Sequence, residues 1–278
     1  MKKLTGLALG LMLLVPSLAF SDSFSLRIGY FMPHALSDTY LASHPDSLWA
    51  IELGQMSFAK EKFRGTMLGF GYEYFVSKNL SLAFTVDMYN KNSPGYYIDY
   101  VQFALNEGDF AFPFELYDGD DIQHAFRVSS TPLQLSFKIT PLGRKARLIP
   151  FFGGGGGLYL YSVRIYGQMV NYSPTDQFGD PVDWYYDFET AAAYSNPTDP
   201  NLRDELIYPV ESVNGREKGT VFGWHAFAGF QIPIGFRATL DAEVRYHSAK
   251  AKFEEWFQGF DDFDLGGLAL TLGFNYWF

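Results

Sequence analysis

The 278-residue sequence contains no cysteine. Disulfides, thiolate metal sites, a cysteine nucleophile and lipid attachment through an N-terminal cysteine are therefore excluded. Basic charge is scarce as well. Lysine and arginine total 21 against 31 aspartates and glutamates, a net charge of -10. Nucleic acid is not an expected partner, because neutralising phosphates takes a basic face. Long apolar runs are missing except at the start, where basic "MKK" precedes "LTGLALGLMLLVP" and then the small residues of "SLAFS". That run is shorter than the roughly 20 residues of a helical span. Residues 1–21 thus read as a secretory signal peptide, cleaved after Ala19 or Ser21, with the mature chain starting near Asp22. A chain with no second run of this kind is either soluble after export or crosses a membrane without helices.

What the sequence does have is 28 Phe, 19 Tyr and 27 Gly, a composition of strands and turns. Period-2 alternation recurs along it. Leu26, Ile28, Tyr30 and Met32 share one face of "FSLRIGYFM". Leu68, Phe70, Tyr72 and Tyr74 do the same in "RGTMLGFGYEYF", and Leu80, Leu82, Phe84, Val86 and Met88 in "LSLAFTVDMY". "TPLQLSFKI", "VFGWHAFAGFQI", "FRATLDAEVRY" and the closing "GGLALTLGFNYWF" repeat the pattern. In "LIPFFGGGGGLYLYSVRIY" it is less clean, with Ile149, Phe151, Tyr159, Tyr161, Val163 and Ile165 on one parity, which the pattern assigns to the apolar face. These are about eight strands, each long enough to span a tilted crossing of roughly 9–11 residues. A count of ten would require "YYIDYVQFAL" and the segment near "IYPVESV" to span, and their alternation is poor.

Short connections ("VSKN", "TPLGRKAR", "PIG") alternate with long ones at 33–62, 90–125, 166–219 and 248–262. That is the rhythm of a transmembrane barrel with short periplasmic turns and long external loops. The strands' apolar faces carry almost no charge. Their other faces carry Arg27, Glu73, Asp87, Lys138, Arg237, Asp241, Glu243 and Arg245. The expected architecture is all-β: a closed antiparallel transmembrane β-barrel of about eight strands, apolar outside, with these charges lining the lumen. The interior of an eight-stranded barrel is just wide enough for its own side chains. That size favours a salt-bridged plug over a solute path, with Arg27 paired to Glu73, and Asp241 or Glu243 to Arg237 or Arg245.

The signal peptide, "LRIGYFMP", the hairpin "GFGYEYFVSKNLSLAFTVDMY", the "PFFGGGGGLYLY" strand and the closing "LTLGFNYWF" together resemble the small eight-stranded outer-membrane barrels of the OmpA/OmpX/OmpW-like group. The resemblance covers residues 22–278 and no peptidoglycan-binding domain is expected after Phe278. It implies an integral protein of the bacterial outer membrane, monomeric, in contact with bilayer lipid and lipopolysaccharide. It also implies that Phe274, Tyr276 and Phe278 form the signal read by the barrel-assembly machinery. Function is not implied, because this barrel hosts adhesins, enzymes, small transporters and anchors.

Other features carry less chemistry. Gly153 to Gly157 lacks the following helix and lysine of a phosphate loop, so curvature, a bulge or close strand packing is expected, or a thinned wall that admits a hydrophobic ligand sideways. Some relatives are lipid A deacylases built on His, Ser and Glu. Here His247 and Ser248 are adjacent and point to opposite faces, so no catalytic residue is assigned and no enzyme is expected. "YDGDD" lacks Ca²⁺-loop spacing, so no metal or other cofactor is expected. The loops at 90–125 and 166–219 are acidic and rich in aromatics, a composition suited to an external ligand. The leading expectation is a structural or surface-binding barrel. The alternatives are a narrow conduit for small or hydrophobic solutes and, third, a lipid-modifying enzyme.

Overall fold

The computed structural model describes residues 22–97, 123–143, 146–170 and 210–278. The signal-peptide segment 1–21, the "YDGDD" segment and the central parts of both acidic loops lie outside the described residues. The strands are β1 (Ser23–Pro33), β2 (Gly65–Phe75), β3 (Leu80–Tyr96), β4 (Gln123–Ile139), β5 (Ile149–Val170), β6 (Val210–Pro233), β7 (Ala238–Ala251), the two-residue β8 (Phe263–Asp264) and β9 (Gly267–Trp277). Each long strand pairs antiparallel with its neighbours in the order β6-β5-β4-β3-β2-β1-β9-β7, and β6 pairs with β7 to close the ring. The eight long strands make one closed barrel, and β8 is a short addition on β7.

Alternation decides which side chains meet lipid. Leu26, Ile28, Leu68, Phe70, Leu135, Phe137, Phe230, Leu240, Leu270 and Leu272 all point outward and are exposed, Leu272 at 64 %. Inward neighbours such as Arg27, Gln134, Ser136, Thr239 and Asp241 are buried. β5 departs from the expected assignment. Ile149, Phe151, Tyr159, Tyr161, Val163 and Ile165 face the interior and are buried, while Phe152, Leu158 and Leu160 face out. Both faces of this strand are apolar, so parity alone could not orient it. Nor is the glycine run a bulge. Gly153 to Gly157 keep unbroken register with β4 and β6. A Cβ on Gly155 would lie 1.9 Å from the Leu135 carbonyl oxygen, so close strand packing explains the glycine there.

Three short turns lie at the end where Ser23 and Trp277 pair. Asn79 in the first donates to the carbonyls of Thr140 (2.7 Å) and Pro141 (3.0 Å) in the second, tying the two together. At the other end the strands outrun the expected loops: β3 extends to Tyr96, β4 begins at Gln123, β5 reaches Val170 and β6 begins at Val210. The 22 residues of β5 are about twice what a crossing needs, so the β3–β6 ladder projects beyond the bilayer. The segment after β1 is not open loop. It holds α1 (Asp38–Ser43) and α2 (Leu48–Gln55), flanked by 3-10 turns at His34–Leu36 and Lys60–Phe63. Ser37 and Ser47 cap the two helices, accepting from the N–H groups of Tyr40 (3.3 Å) and Ala50 (3.2 Å).

Candidate functional site

The lumen is filled in tiers. Nearest the short turns, Lys138 Nζ donates to Glu73 at 2.9 Å and lies 4.4 Å from the centre of the Phe151 ring. Ser81 also donates to Glu73, and Asn275 donates to Thr239 (3.1 Å) and Asp241 (3.2 Å).

The middle tier is built by register. Asp87, Gly69, Arg27, Gly273 and Asp241 stand opposite one another across five consecutive strands. The glycines leave room for the two aspartates to lean toward Arg27. A Cβ on Gly69 would lie 2.0 Å from Asp87 Oδ1, and one on Gly273 would lie 2.0 Å from Asp241 Oδ1. Arg27 donates to Glu243 (2.5 Å) and Thr271 (3.1 Å). Arg245 donates to the same Glu243 oxygen (2.8 Å), to Thr85 (2.9 Å) and to Gln134 (2.5 Å), with its guanidinium 4.6 Å from the centre of the Phe227 ring.

Above it, the Gln134 amide nitrogen lies 2.9 Å from Tyr159 Oη and 3.0 Å from His247 Nδ1. His225 Nε2 lies 2.7 Å from Ser136 Oγ. An amide nitrogen can only donate, so His247 Nδ1 is the acceptor and its proton sits on Nε2. Asp87's two carboxylate oxygens, Arg27 Nε, His225 Nδ1 and His247 Nε2 have no protein partner among the described residues.

An aromatic cap closes the outer end. Phe31 meets Tyr89 and His247 edge-on at 4.9 and 5.8 Å. Trp49 of α2 stacks on Phe263 at 5.2 Å, meets Phe63 and Phe126 edge-on, and donates to the Asp264 carbonyl at 3.2 Å. The buried pair Glu52 and His124, 2.7 Å apart, latches α2 to β4. Buried Glu217 accepts from the N–H groups of Glu254 (2.5 Å) and Phe257 (3.3 Å), holding the 252–262 segment down. Two cavities in the upper lumen measure about 10 Å³ each, at the lower limit for a single water.

The charges grouped by sequence divide as follows. Arg27, Glu73, Asp87, Lys138, Asp241, Glu243 and Arg245 all lie in the lumen. Arg237 does not: it sits exposed on the turn before β7. Glu73 pairs with Lys138 rather than Arg27, and Arg27 with Glu243. Gln134, Tyr159, His225 and Thr271, and the whole aromatic cap, escaped sequence reading. Inward parity was the signal for Gln134, His225 and Thr271; parity pointed Tyr159 the wrong way and gave none for Trp49 and Phe63, which lie outside the strands. His247 is buried in the lumen and Ser248 lies on the opposite face. Phe274, Tyr276 and Phe278 point outward at the short-turn end, where the Phe278 N–H donates to the Asp22 carbonyl at 2.9 Å. Among the described residues no cluster of His, Cys, Asp or Glu could hold a metal ion, and no helix is long and apolar enough to cross a membrane.

A closed barrel with an even number of antiparallel strands and a continuous apolar exterior has its backbone satisfied internally and needs a bilayer around it. The chain is an integral membrane β-barrel. No protein-family model matches the sequence, and no curated protein matches it. Solved structures do match. The outer membrane protein OprG from Pseudomonas aeruginosa is similar at 13% identity with a TM-score of 0.43, over 93% of this chain and 97% of that one. Neisserial surface protein A is similar at 10% identity and 0.40, over 93% and 97%. Escherichia coli outer membrane protein W is similar at 14% identity and 0.34, over 94% and 100%. At such identities the likeness concerns the fold alone.

Proposed function

We propose that this barrel is a closed, non-enzymatic anchor that displays its long outer hairpins to a partner outside the cell. The observation that carries the reading is the inaccessibility of the lumen. Asp87 and Gln134 are 0% exposed and Arg245 2% exposed, so the interior offers solvent no path past its own side chains. The aromatic cap adds a second seal. With the interior packed, the surface left for recognition is the β3–β6 ladder beyond the bilayer and the acidic, aromatic segments it supports. The opposed faces of His247 and Ser248 speak against the lipid-modifying reading.

Planar-bilayer conductance of the folded protein tests the seal, with Asp241→Asn beside it. No current is expected from either. A steady current altered by Asp241→Asn would replace the anchor with a conduit. Deleting residues 98–122 or 171–209 is expected to abolish capture of a partner at the cell surface while the barrel still folds. Undiminished capture by both deletions would refute display by the loops.

A further inference from the structure

The outward face of the β4–β5–β6 ladder changes character row by row. Leu133, Leu158 and Phe222 stand opposite one another, followed by Thr131, Leu160 and Thr220, then Ser129, Ser162 and Lys218. The next row is Arg127, Arg164 and Arg216, three arginines directly opposed on adjacent strands. Like charges placed so are destabilising, and here they occur in a chain with a net charge of -10. None of the three is in an ion pair with a described carboxylate.

Their side chains are nonetheless held. Arg127 Nε donates to Asn90 (3.1 Å), Arg164 Nε to Asn214 (3.0 Å) and Arg216 Nε to Ser162 (3.1 Å). Arg164 also lies 4.6 Å from the centre of the Tyr166 ring, and the Tyr166 hydroxyl accepts from Asn92 at 2.9 Å. Each guanidinium is thus anchored through Nε, and its two terminal nitrogens make no hydrogen bond to a described residue. That fork is the geometry that takes phosphate oxygens in pairs.

The position selects the source of the phosphate. Arg164 lies four residues beyond Leu160, the last outward apolar residue before it on β5, about 10 Å higher at the usual strand rise and tilt. An arginine side chain reaches back from there into the headgroup layer, which extends roughly 5–7 Å beyond the hydrocarbon. A lipid bound on this wall would set its phosphates on the arginines and its chains against Leu158, Leu160 and Phe222.

We propose that Arg127, Arg164 and Arg216, with Lys218 beside them, form a binding site for a glycolipid carrying two phosphates on its headgroup, in the outer leaflet.

The test titrates the purified, folded protein in detergent with bis-phosphorylated lipid A and counts adducts by native mass spectrometry. Parallel titrations use the same lipid with its phosphates removed, and inorganic pyrophosphate as competitor. A cation at an anionic membrane surface contributes about 1 kcal/mol, so the variant with Arg127→Gln, Arg164→Gln and Arg216→Gln is expected to bind on the order of 100-fold more weakly. The dephosphorylated lipid is expected to bind the native protein as weakly as that variant binds lipid A. Folding of each variant is checked by its unheated gel mobility. Replacing the same three residues by lysine keeps the charge but loses the paired donors, and is expected to bind more weakly than the native protein and more tightly than the glutamine variant. Binding by the glutamine variant within threefold of native overturns the site, as does a lysine variant no better than the glutamine one. Competition by pyrophosphate at concentrations equal to the lipid's overturns the lipid assignment.

Discussion

Removing the Glu243 carboxylate tests whether the lumen is a dry plug or a wet passage. One of its oxygens receives Arg27 at 2.5 Å and Arg245 at 2.8 Å, and all three side chains are almost wholly buried. Two charge-assisted bonds at roughly 1.5–3 kcal/mol each set the scale. Measurements on other buried pairs, where loss of one partner costs about 3–5 kcal/mol, agree with it. Glu243→Ala is therefore expected to lower stability by about 4 kcal/mol. Glu243→Gln should cost roughly half of that, because its amide oxygen still accepts. The assay is urea unfolding of the protein folded into lipid vesicles, extrapolated linearly to zero denaturant. A Glu243→Ala loss below about 1 kcal/mol, the scale of a solvated ion pair, would refute the plug and favour a hydrated conduit.

Three further outcomes follow from the same geometry. Asp87 accepts no hydrogen bond from a described residue, so Asp87→Asn should change stability by less than about 1 kcal/mol in that unfolding assay. Gly155→Val would drive a side chain into the Leu135 carbonyl, 1.9 Å from its Cβ, and is expected to leave little heat-modifiable barrel on an unheated gel. Trp49→Ala removes the centre of the aromatic cap at a local cost of about 3–5 kcal/mol. It should open the 34–64 segment to protease while the barrel fragment stays intact, and an uncut segment would show that the cap does not depend on this ring.

The barrel was legible because lipid imposes a strict rule on each strand's outer face, and that rule survives in single residues such as Leu26, Ile28, Leu270 and Leu272. It stopped being legible where lipid stops. Beyond the bilayer the outward positions of β3 to β6 turn polar (Asn90, Asn92, Ser129, Ser162), so the apolar period fades although the ladder continues. β5 misled for the opposite reason: aromatic lumen residues and an apolar exterior leave no contrast between its faces. The helices after β1 are short, six and eight residues, and only the capping serines Ser37 and Ser47 mark them. Of the lumen charges only Arg237 was misplaced, and Glu243 does meet Arg245, but the partner of Arg27 was not legible, because which carboxylate meets it depends on the curvature of the closed ring. The arginine row needs the register of strands 37 and 52 residues apart, which no local pattern encodes.

The seam between β1 and β9 joins the first described strand to the last, with Ser23 opposite Trp277 and Pro33 opposite Gly267. Its eleven pairings have nearly the greatest sequence separation the molecule can offer, so they form against the largest loop-closure entropy and favour slow folding. Until they form, two strand edges stand open, and no ribbon with open edges is stable in hydrocarbon. The middle tier of the lumen depends on that closure, because Arg27 lies on one side of the seam and Glu243 and Thr271 on the other. A chain stalled before closure would hold Arg27 without its partners and its edges without neighbours. Insertion and closure are therefore one event for this protein, and damage to β9 should be read as a failure to arrive rather than a loss of strength.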